Sequence, residues 1–135
     1  MEKHLNKYKN NKNITYSCKY HIIWCTKYRR FLLNDNVEYD LKNIIHSIAN
    51  DLNVEILEIE VMPDHVHILA DIDPQFGVHK FIKTSKGKTS RILRQKYKEL
   101  RSKVPTLWTN SYFVSTVGGV TLDIVKKYIE DQKNV

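Results

Sequence analysis

From Val54 to Ile72 the sequence holds two stretches of strand-like alternation with one short break between them, Met62-Pro63-Asp64, and no other feature restricts the fold as much. In the first stretch Leu57, Ile59 and Val61 share one face, with Glu58 and Glu60 on the other. In the second, Val66, Ile68, Ala70 and Ile72 share one face, with His65 and His67 on the other. Side chains two apart on a strand point the same way, and so short a link predicts antiparallel neighbours. The two imidazoles then stand roughly 7 Å apart at Cβ, two strand rises. They can converge on one ion. A plain pair of surface histidines is the competing reading of His-x-His, and the surrounding features have to decide.

The rest of the chain supplies partners for that hairpin. Residues 1–13 are polar, rich in Asn and Lys and without periodicity, and are expected to be a flexible basic tail. The remaining 14–135 is long enough for one domain with its own core. Between Thr15 and Thr26 the residues Tyr16, Cys18, Tyr20, Ile22 and Trp24 alternate with Ser17, Lys19 and His21, which predicts a first strand. After the loop Lys27-Tyr28-Arg29-Arg30, Asn34 or Asp35 can cap a helix carrying Val37, Leu41, Ile44, Ile45, Ile48 and Leu52 at helical spacing. Asp73-Pro74 supplies a cap and a first-turn proline for a second helix. Its apolar positions Val78, Phe81, Ile82, Ser85, Thr89, Ile92 and Leu93 run straight through Gly87. Tyr112 to Val117 reads as a fourth strand ended by Gly118-Gly119. Thr121 can cap a last helix with Leu122, Val125 and Ile129 on its apolar side. The order βαββαβα predicts an α+β fold of the ferredoxin-like or RRM-like type: an antiparallel sheet with helices on one face, plus a C-terminal helix.

Charge narrows the partner. Lys and Arg total 22 against 15 Asp and Glu, a formal charge of +7, which favours an anionic partner, nucleic acid first. The polar side of the second helix carries Lys80, Lys83, Arg91, Arg94, Lys98 and Arg101. Between Lys83 and Lys103 nine residues are basic and only Glu99 is acidic. So one-signed a stripe repels itself unless an anion lies along it. Lys83, Lys86, Lys88, Arg91 and Arg94 are therefore candidates for DNA contact, with Arg29 and Arg30 of the first loop behind them. A solvated helix face is the plainer alternative. No run approaches the length of a membrane span and Met1-Glu2-Lys3-His4 begins no signal peptide, so a cytoplasmic location is expected. Cys18 and Cys25, seven apart, fit reduced thiols.

Tyr128 and Gln132 lie four residues apart on the last helix and share a face. Glutamine offers a neutral carbonyl oxygen and histidine a neutral nitrogen. Two nitrogens and one oxygen can hold a divalent ion and leave positions for water and phosphate oxygens.

At this point the chain resembles a known family, the single-tyrosine HUH transposases of the insertion-sequence 200/605 group. The resemblance runs through Asp64-His65-Val66-His67, Ser85-Lys86-Gly87-Lys88-Thr89-Ser90-Arg91, Leu107-Trp108, the stretch from Ser111 to Val120, and Tyr128-Ile129-Glu130-Asp131-Gln132. It implies that His65 and His67 form the His-hydrophobic-His motif, that Tyr128 is the nucleophile and that Gln132 is the third metal ligand. The expected activity is cleavage and rejoining of single-stranded DNA, with hairpins at the ends of a mobile element, through a 5′-phosphotyrosine. Mg²⁺ or Mn²⁺ suits such a donor set better than Zn²⁺, whose closed sites favour Cys and His. The resemblance also implies a homodimer whose terminal helix can complete the partner's site, with Gly118-Gly119 as its root. The alternatives are a non-catalytic RRM-like nucleic-acid-binding module, a small metal enzyme acting on a small molecule, and an HUH nuclease acting on repeat hairpins or replication origins.

Overall fold

The hairpin at the centre of the sequence supplies one edge strand and one inner strand of the sheet. The computed structural model describes residues 8–118 and 122–135. Strands β3 (Lys19–Cys25), β4 (Glu55–Met62), β5 (His65–Asp71) and β6 (Phe113–Thr116) form a fully antiparallel sheet in the order β4-β5-β3-β6. Met62 pairs with His65 across the Pro63-Asp64 turn, the short antiparallel link expected from sequence. Helices α1 (Asp35–Asp51) and α2 (Val78–Lys96) cover one face, α3 (Lys98–Lys103) follows α2, and α4 (Leu122–Asp131) ends the chain.

The two periodicities meet in one core. Ile22 and Trp24 of β3, Val61 of β4 and Val66, Ile68 and Ala70 of β5 point at Val37, Leu41, Ile45 and Ile48 of α1 and at Phe81, Ile82 and Leu93 of α2. Each such side chain contributes on the order of 1.5–3 kcal/mol by leaving water. That layer fixes the sheet, and its opposite face is left for chemistry. No helix among the described residues is long and apolar enough to cross a membrane.

Several boundaries differ from the sequence expectation, each for a local reason. The first strand is broken at Ser17-Cys18. Its start, β2 (Thr15–Tyr16), pairs with β1 (Lys9–Asn10), so this part of the expected polar tail is a hairpin arm; residues 1–7 lie outside the described chain. In β4 a register shift between Ile56 and Glu58 inserts Leu57 as an extra residue. Ile56 therefore packs on the core with Ile59, and the simple alternation through Leu57 fails. Helix α2 starts at Val78, not at Pro74: Asp73 to Gly77 forms a turn, with Gly77 N–H donating to the Asp73 carbonyl, and Gly77 enters the helix at φ +96°, which a side chain would resist. At Tyr97 the backbone turns extended (φ −113°, ψ 100°), so Lys98 and Arg101 sit on α3 and do not continue one straight stripe. The expected cap Thr121 and the second hinge glycine Gly119 lie outside the described residues.

Gly87 lies inside α2, and a Cβ built there meets no atom within 4 Å. Gly87→Ala should therefore stabilise the chain by roughly 0.5–1 kcal/mol through helix propensity alone, read as a higher melting temperature. A lower one would mean that folding needs the open backbone at Gly87.

Candidate active site

Four strands bring one row of polar side chains onto the sheet face away from α1 and α2. Pairing places Cys25 opposite His65, Ile23 opposite both His67 and Phe113, Glu60 opposite His67, and His21 opposite Ser115. The alternation read from sequence thus holds: His65 and His67 share this face while Val66 and Ile68 are buried beneath. Two strand spacings, roughly 10 Å, separate the backbone of His67 from that of Phe113.

His65 is aimed by its neighbour. Its Nδ1–H donates to Asp64 Oδ1 at 2.8 Å, which leaves the Nε2 lone pair of the neutral ring for another partner. Asp64 is buried; burial pushes its carboxyl up, but hydrogen bonds from Arg29 and His65 outweigh that and hold it below the usual range. Arg29 is the hub of this corner. Its Nε lies 2.8 Å from Asp64 and a terminal nitrogen 3.1 Å from Glu130 on α4, so one guanidinium joins the His65 turn to the last helix. Tyr28 N–H adds a bond to the carbonyl of Val135.

His67 is placed differently. Its Nε2 lies 3.2 Å from His21 Nδ1, and the ring centroids are 5.4 Å apart. Burial first, then the neighbouring His21, lowers its pKa below the ordinary histidine value, so the neutral form, the one that can ligate, prevails.

On the other side of the face, Tyr128 packs its ring on Phe113 at 5.6 Å between centroids. Its hydroxyl is 2.9 Å from Ser111 Oγ, and Ser111 donates to Gln132 Oε1 at 2.8 Å. Gln132 is buried, and Thr109 Oγ1 approaches the same oxygen at 3.4 Å. Burial pushes the Tyr128 phenol up to about 12, against a smaller opposing effect of the Ser111 bond. Lys27, Thr109, Asn110, Ser111, Gln132 and Val135 line a cleft of about 440 Å³ beside it.

The sequence-derived candidates are therefore distributed as follows. His65, His67, Tyr128 and Gln132 occupy one sheet face. Lys83, Lys88 and Arg91 are exposed on α2, and Arg30 is exposed in its loop. Lys86, Arg94 and Arg29 have protein partners. Lys86 Nζ donates to the carbonyls of Thr109 and Ser111 at 2.7 and 2.8 Å, and burial pulls its pKa down to about 8, so it remains an ammonium at neutral pH. Arg94 donates to the Val104 carbonyl at 3.1 Å. Sequence reasoning passed over Asp64, His21, Thr109 and Ser111. His21 carried a signal, being in phase with the outward side of β3; Thr109 and Ser111 sit in a loop where no periodicity marks them.

Among the described residues no three of His, Cys, Asp and Glu are grouped to hold a metal ion. The histidine pair would need the Gln132 amide oxygen to complete a protein-derived set. The donor chemistry fits a divalent ion, since His65 keeps Nε2 available, His67 favours its neutral form and Gln132 offers a neutral oxygen.

Known proteins are similar to this chain over most of its length. Residues 14–132 match the family described as transposase IS200 like. The ISDra2 transposase TnpA of Deinococcus radiodurans is 39% identical over 126 residues, covering 92% of this chain and 90% of that one. The transposase for insertion sequence element IS200 of Salmonella typhimurium is 34% identical over 123 residues, covering 87% and 81%. A crystal structure of a candidate transposase from Deinococcus radiodurans R1 superposes with a TM-score of 0.82 at 36% identity, covering 94% of this chain and 99% of that one. With the histidine strand and the tyrosine helix both inside the matched region, this chain belongs to the IS200-like transposase family.

Proposed function

We propose that the chain cleaves and rejoins single-stranded DNA at the ends of a mobile element, with Tyr128 as nucleophile and His65, His67 and Gln132 as the residues that hold a divalent ion. The observation that carries this reading is the meeting on one sheet face of two imidazoles and a tyrosine joined through Ser111 to a buried glutamine.

The chemistry follows from what these residues can do. Tyr128 oxygen attacks a backbone phosphorus, and the bond from phosphorus to the 3′ oxygen breaks. The phenol proton passes through water to the departing oxygen, leaving a free 3′-hydroxyl and a 5′-phosphate esterified to Tyr128. The ester conserves the bond, so another 3′-hydroxyl can attack it, restoring the phenol without a nucleoside triphosphate. A half-buried phenol with its pKa pushed up to about 12 is a weak nucleophile, so positioning has to supply much of the rate. Arg29 and Phe113 provide it by fixing α4 over the sheet. When bound, Mg²⁺ or Mn²⁺ supplies Lewis-acid polarisation of a phosphate oxygen.

The DNA partner carries hairpins at the element ends and lies along Lys83, Lys88 and Arg91. Replacing those three by Gln should weaken binding and flatten its salt dependence by about 0.7 unit of slope per lost contact, about two units in all. A binding isotherm series from low to high salt checks it; an unchanged slope would leave α2 a solvated face.

The acting species is a homodimer in which α4 can exchange. In support, no apolar side chain from 123 to 135 is fully buried, and Gly118 takes φ +89° at the root of the helix. A helix seated by polar and ring contacts rather than by fully buried apolar side chains docks on its own sheet or its neighbour's with similar contacts.

The direct test compares labelled single-stranded and duplex element ends, with Mg²⁺, with Mn²⁺ and with chelator. Cleavage of the single strand alone, lost in chelator, is expected. Cutting of duplex, or full activity in chelator, contradicts the proposal.

A further inference from the structure

Ser111 has one hydroxyl proton and stands between the two C-terminal site residues, 2.8 Å from Gln132 Oε1 and 2.9 Å from the Tyr128 hydroxyl. An amide oxygen can only accept. Ser111 must therefore give its proton to Gln132, and Tyr128 must donate to Ser111. The bonds run one way, from the Tyr128 O–H to Ser111 Oγ and from the Ser111 O–H to Gln132 Oε1. Thr109 Oγ1, at 3.4 Å, faces the same amide oxygen. Lys86, by binding the carbonyls of Thr109 and Ser111, pins the segment that carries both hydroxyls.

This arrangement has two consequences. The amide oxygen expected to face an ion is engaged by a hydroxyl. The phenolic oxygen expected to attack phosphorus serves only as a donor to Ser111 and receives no hydrogen bond from it. Turning the amide oxygen away breaks the Ser111 bond, and Ser111 can donate to the phenolic oxygen only after its O–H leaves Gln132.

We propose that Ser111 is a positioning residue that couples the two groups: when Gln132 turns its oxygen away to ligate, the Ser111 proton is redirected to the Tyr128 oxygen. This rests on the reading of Gln132 as ligand and Tyr128 as nucleophile. No proton is consumed, because the hydroxyl only rotates. In its new direction the Ser111 O–H supports the negative charge that the phenolic oxygen carries as it loses its proton, and again as it leaves during rejoining. The resting chain thus keeps its nucleophile muted until the amide has been taken up.

The coupling predicts effects of opposite sign, which a merely structural serine would not give. Mn²⁺ binding to the full, DNA-free chain is measured by the electron paramagnetic resonance of free Mn²⁺, and single-turnover cleavage is measured separately at saturating Mn²⁺. Ser111→Ala frees the amide oxygen, so Mn²⁺ should bind about fivefold more tightly, the worth of one hydrogen bond, while the cleavage rate falls about tenfold. Ser111→Thr, which keeps the hydroxyl, should return both towards the parent values. In a Gln132→Ala background, Ser111→Ala should leave Mn²⁺ affinity unchanged. If Ser111→Ala weakens Mn²⁺ binding, or leaves affinity and rate both unchanged, the coupling is wrong while the metal reading stands. If the parent chain binds no Mn²⁺ that His67→Ala removes, the metal reading falls and the coupling falls with it.

Discussion

Tyr128→Phe should remove covalent capture of DNA completely and lower cleavage by a factor on the order of 10³ to 10⁶, while folding and DNA binding persist. The substitution deletes one oxygen. What the structure loses is the bond to Ser111 at 2.9 Å, a partly exposed interaction worth about 1 kcal/mol or less to stability. The ring keeps its contact with Phe113, so α4 keeps its seat. What the proposed chemistry loses is the attacking atom, and Cys25, a buried thiol whose pKa burial pushes up to about 12, does not replace it. Gel analysis of covalent adduct together with thermal melting separates the two effects. A Tyr128→Phe chain that still forms adduct would remove Tyr128 from the chemistry; one that fails to fold would make the hydroxyl structural.

The second large effect concerns where the two halves of the site come from. A Tyr128→Phe chain and a chain with His65→Ala and His67→Ala should each be inactive, and mixing them should restore cleavage. If helices exchange in a C₂ dimer, each mixed dimer rebuilds one site with the histidines of the first chain and the Tyr128 of the second. Random pairing then gives about a quarter of the parent's sites. The described chain docks α4 on its own sheet through Phe113, Ser111 and Arg29. The prediction therefore requires those contacts to re-form identically on the neighbour. With subunit exchange verified by differently tagged chains, no recovery would mean that each chain builds its site alone.

The sheet and its helices were readable because each buries one face with a regular period. Val66, Ile68 and Ala70 announced β5, and Leu41, Ile45 and Ile48 announced α1, through burial that the structure reproduces. The period misled where the backbone broke it: at the Leu57 bulge, at the Gly77 turn and at the Tyr97 bend. The site was half readable. His65 and His67 follow from alternation; Tyr128 and Gln132 were expected on one helix face, but α4 ends at Asp131 and Gln132 sits in the turn just past it. What sequence could not express is contact across strands and loops, such as His21 against His67, Asp64 and Glu130 on Arg29, and Ser111 between Tyr128 and Gln132. Charge alone does not separate a cation held by the protein from one that is exposed. Of seven cations assigned to DNA, three have protein partners in the structure: Lys86 and Arg94 hold backbone carbonyls, and Arg29 holds two carboxylates.

The central claim is that one residue, Tyr128, carries the DNA between cutting and joining. Trapping the adduct on a single-stranded element end, digesting the DNA and the protein, and mapping the residual nucleotide by mass spectrometry tests it at the level of the bond. The account predicts a 5′-phosphate ester on Tyr128, formed with divalent ion and absent in chelator. An ester on another residue, or strand cleavage with no protein-linked nucleotide at all, would contradict it.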